Sequence, residues 1–317
     1  MQKKWSVVTG GAGFIGSHLT RMLLTEGKAV RVLDNLSTGR LENLEGLADL
    51  YPDSFELVEG DIRDFDLVRS VLAGSEFVFH QAAIPSVQQS VEDTVVENQV
   101  NVDGTLNVLV AARDEKDVKK FVYATSCAVY GESEVLPKLE DMPVEPLSPY
   151  AASKCVNELY ARVFSEVYGL ETIGLRYFNV YGPRQDPNSD YAAVIPKFVT
   201  RMLNSAPPLI FGDGKQTRDF IYVGSVARAN ILAAESGASG CILNIGSGKR
   251  FNLLELVAEI NQILGTDLDP VFEPARSGEV RHSLADIGRA GEAIGFEVDV
   301  DFRRGLEMTI DWFRTQM

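Results

Sequence analysis

The 317-residue chain is poor in cysteine, histidine and positive charge, and each shortage narrows the functions open to it. Its three cysteines, Cys127, Cys155 and Cys241, have neither the spacing of a zinc site nor the number that a disulfide framework needs. No apolar run reaches the roughly 18 residues of a membrane span. The N-terminal MQKKWSVVTGG lacks the apolar core of a signal peptide. We therefore expect a cytoplasmic protein with no metal site and no membrane association.

Acidic residues outnumber basic ones by 45 to 30, which gives the chain a net charge of −15. Such a surface repels the phosphates of nucleic acids and anionic lipids, so we expect no nucleic-acid partner. A small anionic substrate would need a few positive groups held locally against this field. The hydrophobic fraction of 45% is sufficient for one large domain or two moderate ones.

Short apolar runs alternate with helical patterns in the first half of the chain. This alternation predicts an α/β fold with a doubly wound parallel sheet of the Rossmann type. Ligands on such sheets bind at the carboxyl ends of the strands. The candidate strands are Trp5–Thr9, Ala29–Leu33, Phe55–Glu59, Phe77–His80, Phe121–Ser126 and Thr172–Tyr177, and the candidate helices between them include Phe14–Thr25, Leu67–Leu72 and Val102–Arg113.

After Asn179 the pattern is less regular, and proline and glycine cluster in YGPRQDPNSD, SAPPLIFGDG and EPARSGE. We predict a Rossmann domain over residues 1–179 and a smaller C-terminal α/β domain over residues 180–317 that binds the substrate. Helices are expected at Leu253–Leu264 and Phe302–Thr315. The strand pattern Cys241–Ile245 is expected to return to the first domain.

The segment VVTGGAGFIGSHL joins the first strand to the first helix. Its glycines Gly10, Gly13 and Gly16 recur every three residues. Glycine allows the tight turn, the close approach of a pyrophosphate and the packing of helix against strand. The phosphates then lie at a helix N-terminus, where backbone N–H groups are free to bind them. This segment, with Phe14 and Ile15, predicts a dinucleotide site.

Asp34 ends the second strand, where a carboxylate can accept both ribose hydroxyls of NAD and repel the extra phosphate of NADP. An ordinary aspartate in the turn after a strand is the alternative interpretation. The nearby Arg40 could hold a 2′-phosphate, so NAD is favoured while NADP stays open. Further cofactor contacts are expected from residues that follow the second, third and fourth strands, namely Asn35, Asp61, Ile62, Ala82 and Ala83.

Tyr150 and Lys154 are four residues apart, so they share one face of a helix. A lysine ammonium beside a phenol favours the phenolate, and the positive nicotinamide ring of NAD should add to this effect. Tyr150 then becomes a base near neutral pH. Ser126, at the end of the fifth strand, can hydrogen-bond the same reacting oxygen. Such a pair is common by chance, so the prediction of a redox site depends on its combination with the glycine segment.

These motifs resemble the extended short-chain dehydrogenase/reductase superfamily across essentially the whole chain. The resemblance is carried by the glycine segment, Asp34, Ser126 and the sequence YAASK. It is closest to the UDP-sugar 4-epimerases, and among them to the UDP-N-acetylglucosamine 4-epimerases. The segments that carry this narrower likeness are LRYFNVYGPRQDP, AAVIPKF, GDGKQTRDFIYV and SGEVRHSLADI.

The resemblance implies an enzyme with tightly bound NAD. Tyr150 would take the proton of the sugar C4 hydroxyl while hydride passes from C4 to NAD. The 4-keto sugar would then rotate, and hydride would return to its opposite face. Lys154 and Asp34 would hold ribose hydroxyls, Asn101 would lie near the catalytic pair, and Tyr177 would belong to the cofactor site.

The resemblance also implies a UDP-sugar site in the second domain. Arg218 and Arg276 would clamp the diphosphate, since guanidinium suits phosphate oxygens. Glu279 would bind the uridine ribose. Ser283 would face the substituent at C2 of the hexose, and its small size would admit an N-acetyl group; an ordinary strand serine is the alternative. Other expected substrate contacts are Ser126, Asn179, Ala193, Val194 and Gly212.

Two residues after the catalytic serine help to exclude related activities. The resemblance places Cys127 and Ala128 where the 4,6-dehydratases carry an acidic pair, and it places Ala128 where the UDP-glucuronate decarboxylases usually carry a glutamate. UDP-glucose and UDP-glucuronate 4-epimerases remain open. A nucleotide-binding regulator without chemistry is a remote alternative, because the catalytic set is intact. We expect Cys127 to pack in the interior, and the three histidines His18, His80 and His282 to be structural or peripheral.

The superfamily commonly forms dimers through two helices of the first domain. In this chain those helices correspond to the stretches near Val91–Arg113 and Pro149–Val167. By resemblance we expect a homodimer.

Overall fold

The structure is a computed structural model that describes residues 3–187, 193–275 and 281–316. The strands in these ranges are β1 (Trp5–Thr9), β2 (Ala29–Asp34), β3 (Phe55–Glu59), β4 (Ser75–His80), β5 (Lys120–Ser126), β6 (Thr172–Tyr177), β7 (Asn179–Tyr181), β8 (Leu209–Phe211), β9 (Thr217–Arg218), β10 (Phe220–Tyr222), β11 (Cys241–Ile245), β12 (Phe251–Asn252) and β13 (Val271–Glu273).

The α-helices in the same ranges are α1 (Phe14–Thr25), α2 (Leu47–Leu50), α3 (Phe65–Leu72), α4 (Val87–Glu92), α5 (Thr94–Asn98), α6 (Thr105–Asp114), α7 (Pro149–Tyr168), α8 (Val194–Leu203), α9 (Val223–Glu235), α10 (Leu253–Leu264), α11 (Gly288–Ile294) and α12 (Phe302–Thr315). Short 3-10 turns lie at Leu41–Leu44 and Cys127–Tyr130. No helix in the described ranges is both long and apolar enough to cross a membrane.

Seven parallel strands form the central sheet, in the order β11-β6-β5-β4-β1-β2-β3. The predicted doubly wound sheet of the Rossmann type is confirmed. The chain proceeds in opposite directions from β1 and from β4, so a crevice opens between their carboxyl ends, where such sheets bind ligands. Strand β11 comes from the second half of the chain and pairs with β6 at the edge of the sheet.

Both faces of the sheet are buried, because successive side chains of a strand point to opposite faces. Val8 and Val122 pack on the side of α1, α9 and α11. Their neighbours Val7 and Phe121 pack on the other side, against α3, α6 and α7. The carboxyl ends of the strands are thereby held as a fixed edge between two helical layers.

A separate hydrophobic cluster holds the second half of the chain together. It includes Phe198 of α8, Leu256 of α10, and Phe302 and Ile310 of α12. Small strand pairs, β7 with β10, β8 with β13 and β9 with β12, surround it. Phe14 at the start of α1 packs against this cluster, so the glycine segment borders both halves of the protein.

The predicted helix Val102–Arg113 has a different beginning in the structure. A π-helical turn spans Gln99–Gly104, and regular α-helix begins only at Thr105. The Thr105 hydroxyl donates to Asn101 O at 2.6 Å, and the buried side-chain amide of Asn101 donates to Glu97 Oε1. Side chains that compete for backbone groups favour such a widened turn, and π turns are frequent at functional sites.

Candidate active site

The glycine segment leaves no room for side chains. A Cβ on Gly16 would lie 2.1 Å from Gly10 O, and a Cβ on Gly10, whose φ is +69°, would lie 2.7 Å from Ala82 N. Gly13 precedes α1 and has no side chain that could cap it. The backbone N–H groups of the first turn are therefore available to an anion, which is the arrangement that a pyrophosphate requires.

Asp34 lies at the end of β2 and is buried. Its Oδ2 accepts from Ala12 N at 2.8 Å and its Oδ1 from Leu36 N at 2.9 Å. Burial raises the pKa of this carboxyl group, and the backbone hydrogen bonds oppose that rise. Arg40, the residue that could have bound a 2′-phosphate, is paired with Asp186 at 2.5 Å. The Asp34 carboxylate is thus an acceptor that fits the ribose hydroxyls of NAD.

Asn35 and Asp61 meet at the ends of β2 and β3. Asn35 Nδ2 donates to Asp61 Oδ2 at 2.8 Å, and Arg63 donates to both carboxylate oxygens. Hydrogen bonding to Arg63 is the main cause that lowers the pKa of Asp61 to about 2. Ile62 is buried beside them. At the predicted adenosine side of the cofactor site, the polar side chains are therefore already held in place by hydrogen bonds to one another.

Helix α7 presents the predicted catalytic pair. Ser148 Oγ accepts from Ala151 N at 3.1 Å and so caps the helix, which begins at Pro149. Tyr150 consequently lies in the first turn, and Lys154 one turn later. Lys154 is 4% exposed, and its Nζ lies 5.7 Å from the centre of the Tyr150 ring. The ammonium donates to Ala124 O at 3.1 Å, which fixes it against β5.

Ser126 completes this group from the end of β5. Its Oγ accepts from Ala128 N at 3.2 Å, and its hydroxyl shares a hydrogen bond with the Tyr150 hydroxyl. The structure therefore brings Ser126, Tyr150 and Lys154 together at the carboxyl edge of the sheet, opposite the glycine segment.

Burial governs the ionisation of Tyr150 and Lys154 in the protein alone. Burial raises the pKa of Tyr150 to about 12, although the hydrogen bond from Ser126 opposes the rise. Burial also lowers the pKa of Lys154 to about 8, against the influence of Glu97 and Glu158. In the protein groups alone, desolvation of the phenolate therefore dominates, and the prediction that Tyr150 becomes a base near neutral pH, which includes the nicotinamide ring of NAD, stays a prediction.

Asn101 and Tyr177, both predicted at the cofactor site, have different surroundings. Asn101 is fully buried, and its Oδ1 accepts from Ile84 N at 2.8 Å, beside the catalytic helix. The Tyr177 hydroxyl donates to Gln81 Oε1 at 3.1 Å and accepts from Asn230 Nδ2 at 2.8 Å. Its ring packs in the cluster between the sheet and α9.

A cleft of about 750 Å³ is lined by residues between Asn179 and Leu253, all of which follow β6 in the second half of the chain. Four predicted substrate residues line it: Asn179, Ala193, Val194 and Arg218. Gly212 follows the lining residue Phe211 with a φ of +84°. Arg276 and Glu279 lie outside the described residues. The lining residues that the sequence analysis missed include Lys197, Phe198, Arg201, Phe211 and Gln216, and the last two stand in or beside the segment GDGKQTRDFIYV.

Ser283 lies deep beside this cleft. Its Oγ accepts from Asn179 Nδ2 at 3.1 Å and from Asp219 N at 3.3 Å, and the residue is 8% exposed. The buried Asp219 carboxylate in turn accepts from Ser247 and from Ala285 N, which fixes the surrounding loops. Two residues predicted to contact substrate, Asn179 and Ser283, are therefore direct neighbours.

The histidines and Cys127 have structural surroundings. His80 is buried between the hydroxyls of Thr9 and Thr105, and burial lowers its pKa to about 3. His18 donates from Nε2 to Pro183 O at 2.8 Å, and burial lowers its pKa to about 4. Cys127 packs against a small apolar cluster, and burial raises the pKa of its thiol to about 12.

A glycine turn, a strand-end aspartate and a serine–tyrosine–lysine group at the sheet edge define an enzyme of the short-chain dehydrogenase/reductase type. The chain belongs to the NAD-dependent epimerase/dehydratase family, whose sequence model matches residues 6–246. It is an NAD-dependent epimerase, which is an isomerase, and its cofactor is NAD.

Relatives match the chain over almost its full length. The UDP-glucose 4-epimerase of Mycolicibacterium smegmatis is 40% identical over 314 residues, which cover 98% of this chain and 99% of the relative. The structure of the UDP-N-acetylglucosamine 4-epimerase of Methanobrevibacter ruminantium, in complex with UDP-N-acetylmuramic acid, superposes with a TM-score of 0.94 at 43% identity and covers 100% of both chains. The Thermus thermophilus UDP-glucose 4-epimerase in complex with NAD has a TM-score of 0.88 at 37% identity and covers 99% of this chain and 100% of its own.

Proposed function

We propose that this enzyme interconverts UDP-N-acetylglucosamine and UDP-N-acetylgalactosamine, within the UDP-sugar 4-epimerase activity of its relatives. The observation that carries the proposal is the assembly of Ser126, Tyr150 and Lys154 at the sheet edge, together with the small residue Ser283, which is bound by the cleft residue Asn179. Chemistry at C4 follows from the first feature, and room for an N-acetyl group from the second.

In the proposed mechanism the residues of this chain handle the proton and the orientation of the sugar. NAD, when bound, supplies the reversible transfer of hydride at C4. Ser126 and Tyr150 hold the C4 oxygen, and Tyr150 takes its proton and later returns it. Lys154 and Asp34 would hold the ribose hydroxyls of the cofactor. A cation beside the phenol favours phenolate, so Tyr150 is expected to ionise at lower pH in the loaded enzyme than the protein groups alone permit.

The substrate side is proposed from the cleft. Arg218 and Arg276 would bind the diphosphate, Glu279 would bind the uridine ribose, and Asn179 would bind the phosphate or the sugar. Support for an N-acetylated hexose comes from Ser283 and from the relative that was solved with UDP-N-acetylmuramic acid. The second candidate is a UDP-glucose 4-epimerase, which the activity of the Mycolicibacterium smegmatis relative favours.

The test is incubation of the purified enzyme, with bound NAD confirmed, with UDP-N-acetylglucosamine while the anomeric proton is followed by NMR. We expect UDP-N-acetylgalactosamine to appear. Tyr150→Phe should lower kcat by about a thousandfold, because it removes the acid–base group. Tyr160→Phe, which removes an exposed hydroxyl from the same helix, is the matched control. Conversion of UDP-glucose alone would support the second candidate instead.

We also propose a homodimer. Helices α4 and α5 pack on α7, and together they expose an apolar surface that includes Val91, Val95, Leu159, Val163 and Val167. The last three are spaced by four residues, so they form one stripe along α7. Contiguous exposed apolar surface of this kind is typical of protein interfaces.

Cytoplasmic localisation stays a prediction of the sequence.

Light scattering at micromolar concentration should give the mass of two chains. Val163→Glu should shift the protein to the monomer, because it places a charge within the apolar stripe. Leu50→Glu changes a similarly exposed residue on α2 and should leave the dimer intact. A wild-type monomer would contradict the proposal.

A further inference from the structure

Glu97 is a buried carboxylate that contacts the catalytic helix from α5. It is 2% exposed, and its Oε1 accepts from Ser153 Oγ and from Asn101 Nδ2, both at 2.6 Å. Ser153 stands between Tyr150 and Lys154 on α7, and its hydroxyl also lies 2.9 Å from Tyr150 O. Hydrogen bonds to a charged acceptor are stronger than neutral ones. Glu97 therefore ties α5 to the turn of α7 that bears the reacting residues.

The second partner of Glu97 connects it to the sheet edge. Asn101 lies in the π-helical turn, and its amide makes two hydrogen bonds with the backbone of Ile84, at 2.8 and 3.1 Å. Ile84 directly follows Ala82 and Ala83, the residues predicted to border the cofactor. One carboxylate thus joins the catalytic helix to the loop after β4.

Glu97 differs from Glu158, the other buried carboxylate near Lys154, in the charge of its hydrogen-bond donors. Glu158 is bound by two guanidinium nitrogens of Arg176, at 2.9 and 2.7 Å. Glu97 receives its two hydrogen bonds from neutral side chains. A carboxylate of this kind stabilises a nearby ammonium strongly in a poorly hydrated site. Of the two carboxylates, Glu97 has the larger influence in raising the pKa of Lys154 against burial.

We propose that Glu97 is a positioning residue that keeps Lys154 charged and holds its helix turn in place, an inference that rests on the proposed roles of Tyr150 and Lys154. Without this charge the ammonium would lose its proton at lower pH, and the alkaline limb of the activity profile would move with it. The charged and titratable groups that face this site from the surrounding elements are His80 of β4, Glu97 of α5, Cys127 after β5, Tyr150 and Glu158 of α7, and Arg176 of β6.

The test is Glu97→Gln, which keeps the shape and one acceptor oxygen but removes the charge. We expect the alkaline limb of the kcat profile to move to lower pH by about one pH unit, with kcat at pH 8 lower by about fivefold. A second measurement needs no turnover. The titration midpoint of Lys154, followed by NMR of ¹³C-labelled lysine and assigned with Lys154→Met, should fall by the same amount. Glu292→Gln, on the exposed side of α11, is the control for loss of one surface charge.

Glu97→Asp keeps the charge and should keep the wild-type midpoint. An unchanged Lys154 midpoint in Glu97→Gln would overturn the proposal, even if kcat fell, because the role would then be only structural. Should Glu97→Gln fail to fold, a midpoint that falls by about one pH unit in Glu97→Asp would overturn it too. Retained activity in Tyr150→Phe would instead refute the proposed function, whatever happens at Glu97.

Discussion

The catalytic edge of the sheet and the substrate cleft beside it are held together in different ways. On the catalytic edge, buried charges and hydroxyls bind one another, as Glu97 does with Ser153 and Glu158 with Arg176. In the cleft the cations are half-buried on α8 and β9 and bind backbone carbonyls; Arg201 donates to Pro207 O at 2.7 Å, and Arg218 donates to Thr217 O at 3.0 Å. Buried polar groups are strong and costly to disturb, whereas exposed ones are screened.

This difference suggests that the catalytic edge serves the reaction and that the cleft serves recognition of the substrate. The catalytic groups are fixed parts of the core, so changes there should affect folding, cofactor binding and kcat. The cleft groups can vary at smaller cost, so changes there should affect mainly KM and the choice of sugar. The following predictions test this separation, from the largest expected effect to the smallest.

Gly16→Val should abolish activity and NAD binding. A Cβ at this position would lie 2.1 Å from Gly10 O, so the turn that bears the pyrophosphate site cannot keep its form. Fluorescence titration with NAD and the kcat assay measure the loss. Gly237→Ala, where a Cβ would meet nothing within 4 Å, should leave both unchanged. NAD binding retained in Gly16→Val would contradict the proposed cofactor site.

Glu158→Gln should destabilise the fold by about 3–5 kcal/mol, because it leaves the buried Arg176 without its counter-charge. Urea unfolding of the two proteins gives the difference. The matched control is Glu166→Gln on the same helix, which breaks the exposed pair with Arg162 and should cost under about 0.5 kcal/mol. Equal costs in the two variants would refute the contrast drawn between buried and exposed charges.

Ser283→Tyr should reduce kcat/KM for UDP-N-acetylglucosamine by about a hundredfold, as expected when an added group fills the space of a substrate substituent. Activity on UDP-glucose, if the enzyme accepts it, should fall much less. Parallel assays with both sugars measure the ratio. An equal loss on both would mean that the new ring disturbs the hydrogen bond with Asn179 and leaves the choice of sugar unaffected.

Arg218→Gln should raise KM by about tenfold with a smaller change in kcat, because a charge-assisted bond to phosphate contributes about 1.5–3 kcal/mol. Initial-rate kinetics at several salt concentrations test this, and the variant should show a weaker salt dependence than the wild type. Arg314→Gln, near the end of α12, is the control for loss of a remote positive charge. A change in kcat alone would place Arg218 with the catalytic edge instead.

Many elements of the fold, on both sides of the molecule, could be predicted because their signals are local. Strands β1, β3 and β6 and helices α1, α10 and α12 have the predicted bounds. Ser148 and Pro149 begin α7 where the spacing of Tyr150 and Lys154 requires a helix. Each of these features depends on residues within one or two turns of each other, so the linear pattern is sufficient.

Other features escaped prediction because they depend on which elements pack together. The π-helical turn at Gln99–Gly104 is set by hydrogen bonds of Asn101 and Thr105 that no periodicity reveals. The cleft residues Phe211 and Gln216 stand in a loop-rich segment whose short strands find their partners elsewhere in the chain. The two predicted substrate residues Arg276 and Glu279 lie outside the described residues.

The sequence by itself determined the class of this protein: the parallel sheet, the dinucleotide turn at Gly10–Gly16, and the tyrosine and lysine four residues apart. Only the tertiary structure decided how those groups ionise and what surrounds them. Glu97 meets Ser153 across 56 residues of sequence, and Asn179 meets Ser283 across 104. The pKa of Tyr150 rises and that of Lys154 falls because burial removes water from both, and burial is a property of the packed chain that no local motif carries.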